Sequence, residues 1–168
     1  FTSLNSDPYL EFTIKCYTGH DGVTKQVARL KAGDELIIDD PWGAIEYKGE
    51  GYFIAGGAGI TPFIAILRQL HKDNRALHNK LFFSNKTSSD IIYEKELKEI
   101  LGENAVFIVT ENGTGSYLHD FIDETVLKIH VEKFDRHFYI CGPDPMIQSI
   151  TGIVTGQGAD PHAVVFEK

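Results

Sequence analysis

The sequence is poor in cysteine. Its two, Cys16 and Cys141, stand far apart without C-x-x-C spacing, so this chain cannot supply the four thiolates of an iron–sulfur cluster or a zinc-ribbon set. Both thiols are expected to be reduced, in a cytoplasmic protein. The seven histidines are scattered, His71 and His78 included, and none has metal-ligand spacing. Basic residues are outnumbered, 16 Lys and Arg against 24 Asp and Glu, for a net charge of -8. That balance argues against nucleic acid or an anionic membrane as the main partner. No apolar run approaches the ~18 residues that cross a bilayer, so no membrane insertion is expected. No secretory-leader pattern opens the sequence. It begins without an initiator Met, inside strand-like sequence at FTSLNSDPYLEFTIKCY, and a preceding segment is therefore expected.

What is present is ordinary globular material: 168 residues, 42% hydrophobic and 24% charged, enough for one well-packed domain or one and part of another. Residues 9–17 alternate Leu10, Phe12, Ile14 and Cys16 with Glu11, Thr13 and Lys15, the period of a half-buried strand. GDELIIDDPWGAIEYKG adds short strands punctuated by Gly33, Pro41, Gly43 and Gly49, and Thr24 to Leu30 fits one or two helical turns. Residues 1–48 thus read as part of an antiparallel β unit. From residue 49 the rhythm changes. Strands are predicted near 52–55, 80–84, 105–109, 137–141 and 162–166, and helices near 62–72, 91–101, 118–123 and 144–152. This alternation predicts an α/β unit over 49–168, a five-stranded parallel, doubly wound sheet. Thr61 is placed as a helix N-cap with Pro62 at the first helical position, and Gly102 as the stop after Leu101.

Two turns carry chemistry. FIAGGAGITP follows the first α/β strand; Gly56, Gly57 and Gly59 let backbone approach an anion, and the next helix points its positive end there. A plain tight turn explains the same residues. The sixth place of a G-x-G-x-x-G fingerprint holds Pro62, and the second strand ends in Ser84, Asn85 and Lys86 without an acid, unlike an ordinary Rossmann domain. FYICGPDPM then turns sharply through Gly142, Pro143 and Pro145 after the fourth strand. The pair G-G-x-G-I-T-P and C-G-P-x-P-M, in that order, resembles the ferredoxin-NADP reductase family of flavin-dependent oxidoreductases. The resemblance covers essentially the whole chain, with residues 1–48 similar to the second half of that family's flavin-binding β-barrel and 49–168 to its NAD(P)-binding domain.

The resemblance implies a pyridine dinucleotide held by Gly56, Gly57, Gly59, Ile60, Thr61 and Pro62 and by Gly142, Pro143, Asp144 and Met146. Thr61 would face the pyrophosphate. Cys141 would shape the hydride-transfer pocket beside the nicotinamide, not act as a nucleophile; a small buried hydrophobe is the alternative. In the terminal AVVFEK, Phe166 would approach the flavin, and Glu167 would donate a proton or orient a ring, or else be an exposed carboxylate at a chain end. Gly22, Val23 and Thr24 resemble the element that caps the flavin phosphate, where Thr24 as a plain N-cap would look alike. The family's Arg-x-[Tyr/Phe]-[Ser/Thr] flavin motif should fall just before Phe1 to Ser3 and is absent. Thr110 and Glu111, after the third strand, favour NADH because a carboxylate accepts a 2'-hydroxyl and repels a phosphate, while Lys86 leaves NADPH open. Trp42 is expected at the junction of the two parts. The function implied is a reductase moving hydride from NAD(P)H to FAD, ahead of FMN, and single electrons to a protein acceptor. That acceptor would be an acidic carrier such as flavodoxin or ferredoxin, or a fused or partner oxygenase; Lys25, Arg29 and Lys31 could present it a basic face, with a plain solvated charged face as the default reading. A flavohaemoglobin-like reductase part and a non-catalytic nucleotide-binding or assembly subunit are the alternatives.

Overall fold

The structure is a computed structural model that describes residues 1–167 apart from 18, 20, 41–42, 112–116 and 120, with Glu167 described through its backbone. The expectation for Trp42 therefore lies outside the described residues. Five strands form one parallel sheet: β1 (Gly51–Gly56), β2 (Lys80–Asn85), β3 (Ala105–Val109), β4 (His137–Cys141) and β5 (Val164–Glu167), in spatial order β3-β2-β1-β4-β5. Each begins and ends within two residues of its predicted place. These runs are apolar on both faces because both faces are covered.

Alternation sorts the side chains. Phe53, Ala55, Phe83 and Tyr139 pack beneath α2 (Thr61–Lys72) and α3 (Glu94–Leu101), which contribute Phe63, Ile64, Leu67, Leu97 and Leu101. Tyr52, Ile54, Phe82 and Ile140 face the other way, against α4 (Glu124–His130) and α5 (Asp144–Gly156) through Leu127, Ile147, Ile150 and Val154. Phe53, Phe82, Phe83 and Phe138 are fully buried, each worth roughly 1.5–3 kcal/mol of transfer free energy. The chain runs outward from β1 to β3, then returns to place β4 on β1's other side. The switch point between β1 and β4 opens a crevice at their carboxyl ends.

Three boundaries differ from the sequence reading. No helix covers 118–123 among the described residues: Leu118 donates to the Phe107 carbonyl at 3.1 Å and its own carbonyl accepts from Val109, extending the edge of β3. The helix starts after Asp123, whose carboxylate caps it by accepting from the Val126 amide at 2.8 Å. α3 starts at Glu94 because Thr87 and Asp90 first close a capping box and Tyr93 takes a left-handed conformation, φ 56°. Gly102 stops it as expected, with φ 56°. α5 runs on to Gly156, past the predicted 152.

The largest difference lies in residues 1–48, where the described residues form no strand. Their one regular element is α1 (Val23–Val27), within the predicted turn-helix. Leu10, Phe12, Ile14 and Cys16 are exposed. Alternation alone makes no ladder; a strand also needs a continuous row of backbone partners, and here the Thr2 amide donates to the Glu11 carbonyl at 2.8 Å while the Glu11 amide goes to the Ser3 hydroxyl at 3.0 Å instead of to backbone. The segment is nonetheless docked. The buried Tyr139 hydroxyl accepts from the Lys48 and Gly49 amides (2.9 and 3.0 Å) and donates to the Gly49 carbonyl (2.8 Å). The Tyr47 ring stacks on Tyr139, centroids 5.8 Å apart.

Candidate functional site

Ala55 is in register with Cys141, so the turns that follow β1 and β4 share the crevice. They also interlock. A Cβ on Gly59 would sit 2.5 Å from the Cys141 carbonyl carbon and 2.8 Å from the Gly142 nitrogen. A Cβ on Gly142 would meet Met146 Cε at 2.6 Å and Gly56 backbone at 3.1 Å, and one on Gly56 would meet Met146 Sδ at 2.7 Å and Pro143 Cδ at 3.0 Å. Gly56, Gly59 and Gly142 are thus glycine so that protein can close on protein. Gly57 differs: its φ is 54°, in the left-handed region, and the space its Cβ would enter holds no atom within 4 Å. It is the glycine with room for a ligand.

Two helices leave this crevice with different charge. α5 opens with Asp144 in its first turn, whereas α2 has no acid there. The positive end of α2 is therefore the one suited to an anion. Thr61 does not cap it. A 3-10 turn over Gly57–Ile60 feeds Ile60 into the helix already in helical conformation (φ -68°, ψ -25°), so Thr61 is the first helical residue. An N-cap needs extended backbone to aim its hydroxyl forward; that of Thr61 points back to the Ala58 carbonyl at 3.0 Å. Among the described residues no N-cap side chain closes the start of α2; the Thr61 amide donates to the Ala58 carbonyl, and Pro62 has no amide proton to satisfy.

At the rim beside β1, Asn85 is 6% exposed and its buried Nδ2 has no hydrogen-bond partner among the described residues. By strand alternation it stands on the α2 side. The next residue, Lys86, lies 3.9 Å from Glu111, and the Glu111 amide donates to the Lys86 carbonyl at 2.7 Å. Thr110 binds the Asn85 carbonyl through its amide at 3.0 Å. Thr110 and Glu111 are thus held at the carboxyl edge of the sheet, beside β2.

On the α2 side a cavity of about 260 Å³ opens between the first segment and the start of α2, lined by Phe1, Thr2, Phe12, Thr13 and Ile14, by Gly43 and Ile45, and by Thr61 and Pro62. Phe1 and Phe12 make an aromatic wall, centroids 4.8 Å apart. A second cavity, of about 210 Å³ beside His78 and Arg136, lies at the amino ends of the strands, away from the crossover loops that carry parallel-sheet sites. Among the described residues no group of three or more His, Cys, Asp or Glu is placed to hold a metal ion, and no helix is long and apolar enough to cross a membrane.

Residues 53–152, both turns included, match the model of the oxidoreductase NAD-binding domain. The chain belongs to that family. It is 27% identical over 153 residues to one subunit of the Na(+)-translocating NADH-quinone reductase of Actinobacillus pleuropneumoniae, covering 82% of this chain and 37% of that protein. It is 28% identical over 166 residues to the NADH-cytochrome b5 reductase 2 of Candida glabrata, 90% of this chain and 55% of the relative. The chain thus spans only part of the relatives it matches. In fold it is similar to the CS-b5R domains of human Ncb5or in its NAD+ form, TM-score 0.81, 21% identity, covering 96% of this chain and 51% of that one. The parallel sheet of this oxidoreductase domain is the one the two-motif resemblance implied.

The other site residues named from sequence fall into three groups. Gly56, Gly57, Gly59, Ile60, Thr61, Pro62, Cys141, Gly142, Pro143, Asp144 and Met146 gather at the crevice, with Cys141 packed on the α2 side of the sheet. Phe166 pairs with Ile140, which sets it on the opposite, α4–α5 side, 42% exposed; Glu167 pairs through its backbone with Cys141. Gly22, Val23 and Thr24 begin α1, with Val23 79% exposed and the Thr24 hydroxyl accepting from the Tyr17 amide at 3.2 Å. They are not among the residues lining the cavity. Sequence reasoning missed Arg68, Tyr93 and Tyr139. Arg68 had a signal, since it lies four residues after Ile64 at the edge of the buried stripe of α2, where a cation needs partners.

Proposed function

We propose that this chain is the NADH-binding part of a flavoprotein reductase that accepts hydride on FAD and delivers single electrons to a protein acceptor. Residues 49–168 would form the dinucleotide unit and residues 1–48 part of the flavin unit. The observation that carries the reading is the interlock of the two turns, which leaves Gly57 facing open space above the uncapped start of α2, beside Cys141.

The residues fit these groups. Gly57 lets backbone come close to a pyrophosphate, and the positive end of α2 gives it a favourable dipole. The unpartnered Asn85 amide supplies a donor at the same rim. Glu111, drawn to Lys86, offsets a cation that would otherwise pair a 2'-phosphate, which supports NADH over NADPH. Cys141, small and half-buried, leaves room for a flat ring to lie against the end of β4. The cavity flanked by Phe1, Phe12 and Pro62 offers an aromatic and apolar wall for an isoalloxazine. Bound FAD would supply the capacity to take two electrons together and release them singly. The protein's contribution is then to bind and align. Its acceptor is an acidic carrier such as flavodoxin or ferredoxin, a cytochrome b5, or a joined oxygenase. Arg29 and Lys31 favour an acidic surface, with Lys25 tied to Asp21 at 2.8 Å.

Anaerobic titration of the purified full-length protein, reconstituted with FAD, tests this. NADH is expected to bleach flavin absorbance near ~450 nm with one equivalent per flavin. Protein that takes up no flavin, or flavin that NADH does not bleach, overturns it in favour of a non-catalytic nucleotide-binding subunit.

A further inference from the structure

Arg68 joins three parts of the molecule. Its Nε and Nη2 form a two-pronged pair with Glu96 of α3, at 2.5 and 3.1 Å. Its Nη1 donates to the Glu11 carboxylate at 2.6 Å and the Thr2 carbonyl at 2.5 Å. The guanidinium also lies over the Tyr93 ring, 5.3 Å from its centroid. The Tyr93 hydroxyl shares a 2.6 Å hydrogen bond with that of Thr13, and the Thr2 hydroxyl donates to Glu11 at 2.7 Å. Thr2 is 1% exposed.

Thr2 and Thr13 stand in the cavity wall with Phe1 and Phe12, and Thr61 and Pro62 form the facing wall. Pro62 and Arg68 belong to the same helix, roughly 9 Å apart along its axis at 1.5 Å per residue. α2 therefore carries one wall directly and holds the other at Thr2 and Glu11 through the Arg68 guanidinium, with Lys72 donating to the Ser6 hydroxyl further along the segment at 3.1 Å. We infer that Arg68 is a positioning residue that fixes the separation of these walls, and with it the alignment of the flavin against the dinucleotide crevice; this rests on the function proposed above. Its leverage follows from the chemistry, because reacting atoms must approach to roughly 3–3.5 Å and a displacement of about 1 Å can cost ~100-fold in rate.

The test is stopped-flow reduction of the FAD-loaded full-length protein by NADH, comparing wild type with Arg68→Lys and Glu11→Gln. Lys keeps the charge and loses the fork. Glu11→Gln removes the charge that ties the first segment to Arg68 while leaving the Arg68–Glu96 pair intact, so the fold of the sheet is not at stake. Both variants are expected to lower the limiting rate of flavin reduction roughly 10-fold or more, with flavin content and the Kd for NADH within about twofold of wild type. Glu99→Gln, which touches only an exposed pair with Lys95, should leave the rate unchanged. Limiting rates within twofold of wild type in both variants, or losses confined to Kd or to flavin content, overturn the inference. A wild type that binds no flavin sinks the proposed function and this inference with it; an active wild type with unaffected variants sinks this inference alone.

Discussion

Gly59→Ala is the sharpest probe of how the crevice is built. The added Cβ would fall 2.5 Å from the Cys141 carbonyl carbon and 2.8 Å from the Gly142 nitrogen. Both neighbours are backbone at the end of a central strand, so neither can swing aside as a side chain would. Overpacking of this kind costs about 1–3 kcal/mol, and the stiffness of the surroundings places Gly59→Ala at the upper end. For a chain of this size about 3 kcal/mol corresponds to roughly 6–12 °C in Tm. Gly57→Ala is the paired control: nothing stands within 4 Å of its Cβ, and the cost is conformational because its φ is 54°, about 1–2 kcal/mol. Gly57→Ala should therefore melt above Gly59→Ala yet lose more NADH affinity per degree of Tm lost, since its methyl enters the space assigned to the ligand. Thermal melts and an NADH titration of the two variants read both quantities. A Gly59→Ala protein that melts within about 2 °C of wild type, or above Gly57→Ala, would refute the interlock.

Other perturbations test the remaining contacts. Tyr139→Phe strands the Lys48 and Gly49 amides and the Gly49 carbonyl; about 2 kcal/mol is expected, read as a drop of roughly 4–8 °C with faster proteolysis near residues 47–49, and an unchanged melt counts against the clamp. Glu111→Lys, which removes the carboxylate beside Lys86 and adds a cation, should raise kcat/KM for NADPH relative to NADH by about tenfold, some 1.4 kcal/mol; a ratio that does not move removes Glu111 from the specificity argument. The hydrogen bond from Arg68, then that from Thr2, holds the Glu11 carboxyl below the ordinary glutamate value of about 4.5. A lowered native pKa stabilises the fold fully above the unfolded value and loses its effect as pH falls through the native one. The Tm gap between wild type and Glu11→Gln should be widest near neutrality and shrink below about pH 4.5; a gap that grows in acid reverses the assignment.

The sheet was legible because each strand is a short apolar run bounded by Gly, Asn or a charged turn, and a parallel strand buried on both faces looks like that locally. What failed were elements decided by partners. Leu118, Phe121 and Ile122 are spaced for a helix, yet Ile122 is buried while Phe121 is 70% exposed, and Leu118 joins the edge of β3. The Asp123 cap then begins the helix later than apolar spacing alone indicated. In residues 9–17 the alternation is real, and period two states what a strand would bury without supplying the continuous backbone ladder that makes it one. Arg68 signalled only that it needs partners; which ones was unreadable for the same reason, because its carboxylates lie 57 and 28 positions away and no local pattern joins them.

The missing third glycine of the fingerprint shows how far a local motif reaches. In a G-x-G-x-x-G turn the third glycine lets the helix lie close against the strands. Here position 62 is the second residue of α2, where the amide has no helical partner to lose and proline is tolerated. Close packing is instead achieved across the switch point, Gly59 against the Cys141 carbonyl and Gly142 against Gly56, with Met146 wedged between. The first turn is therefore incomplete without the second, although Gly59 and Gly142 lie too far apart along the chain for any fingerprint to register them together. What joins them is the return of β4 to the flank of β1. Either motif read alone describes half a site. Their co-occurrence was informative because the crevice requires both.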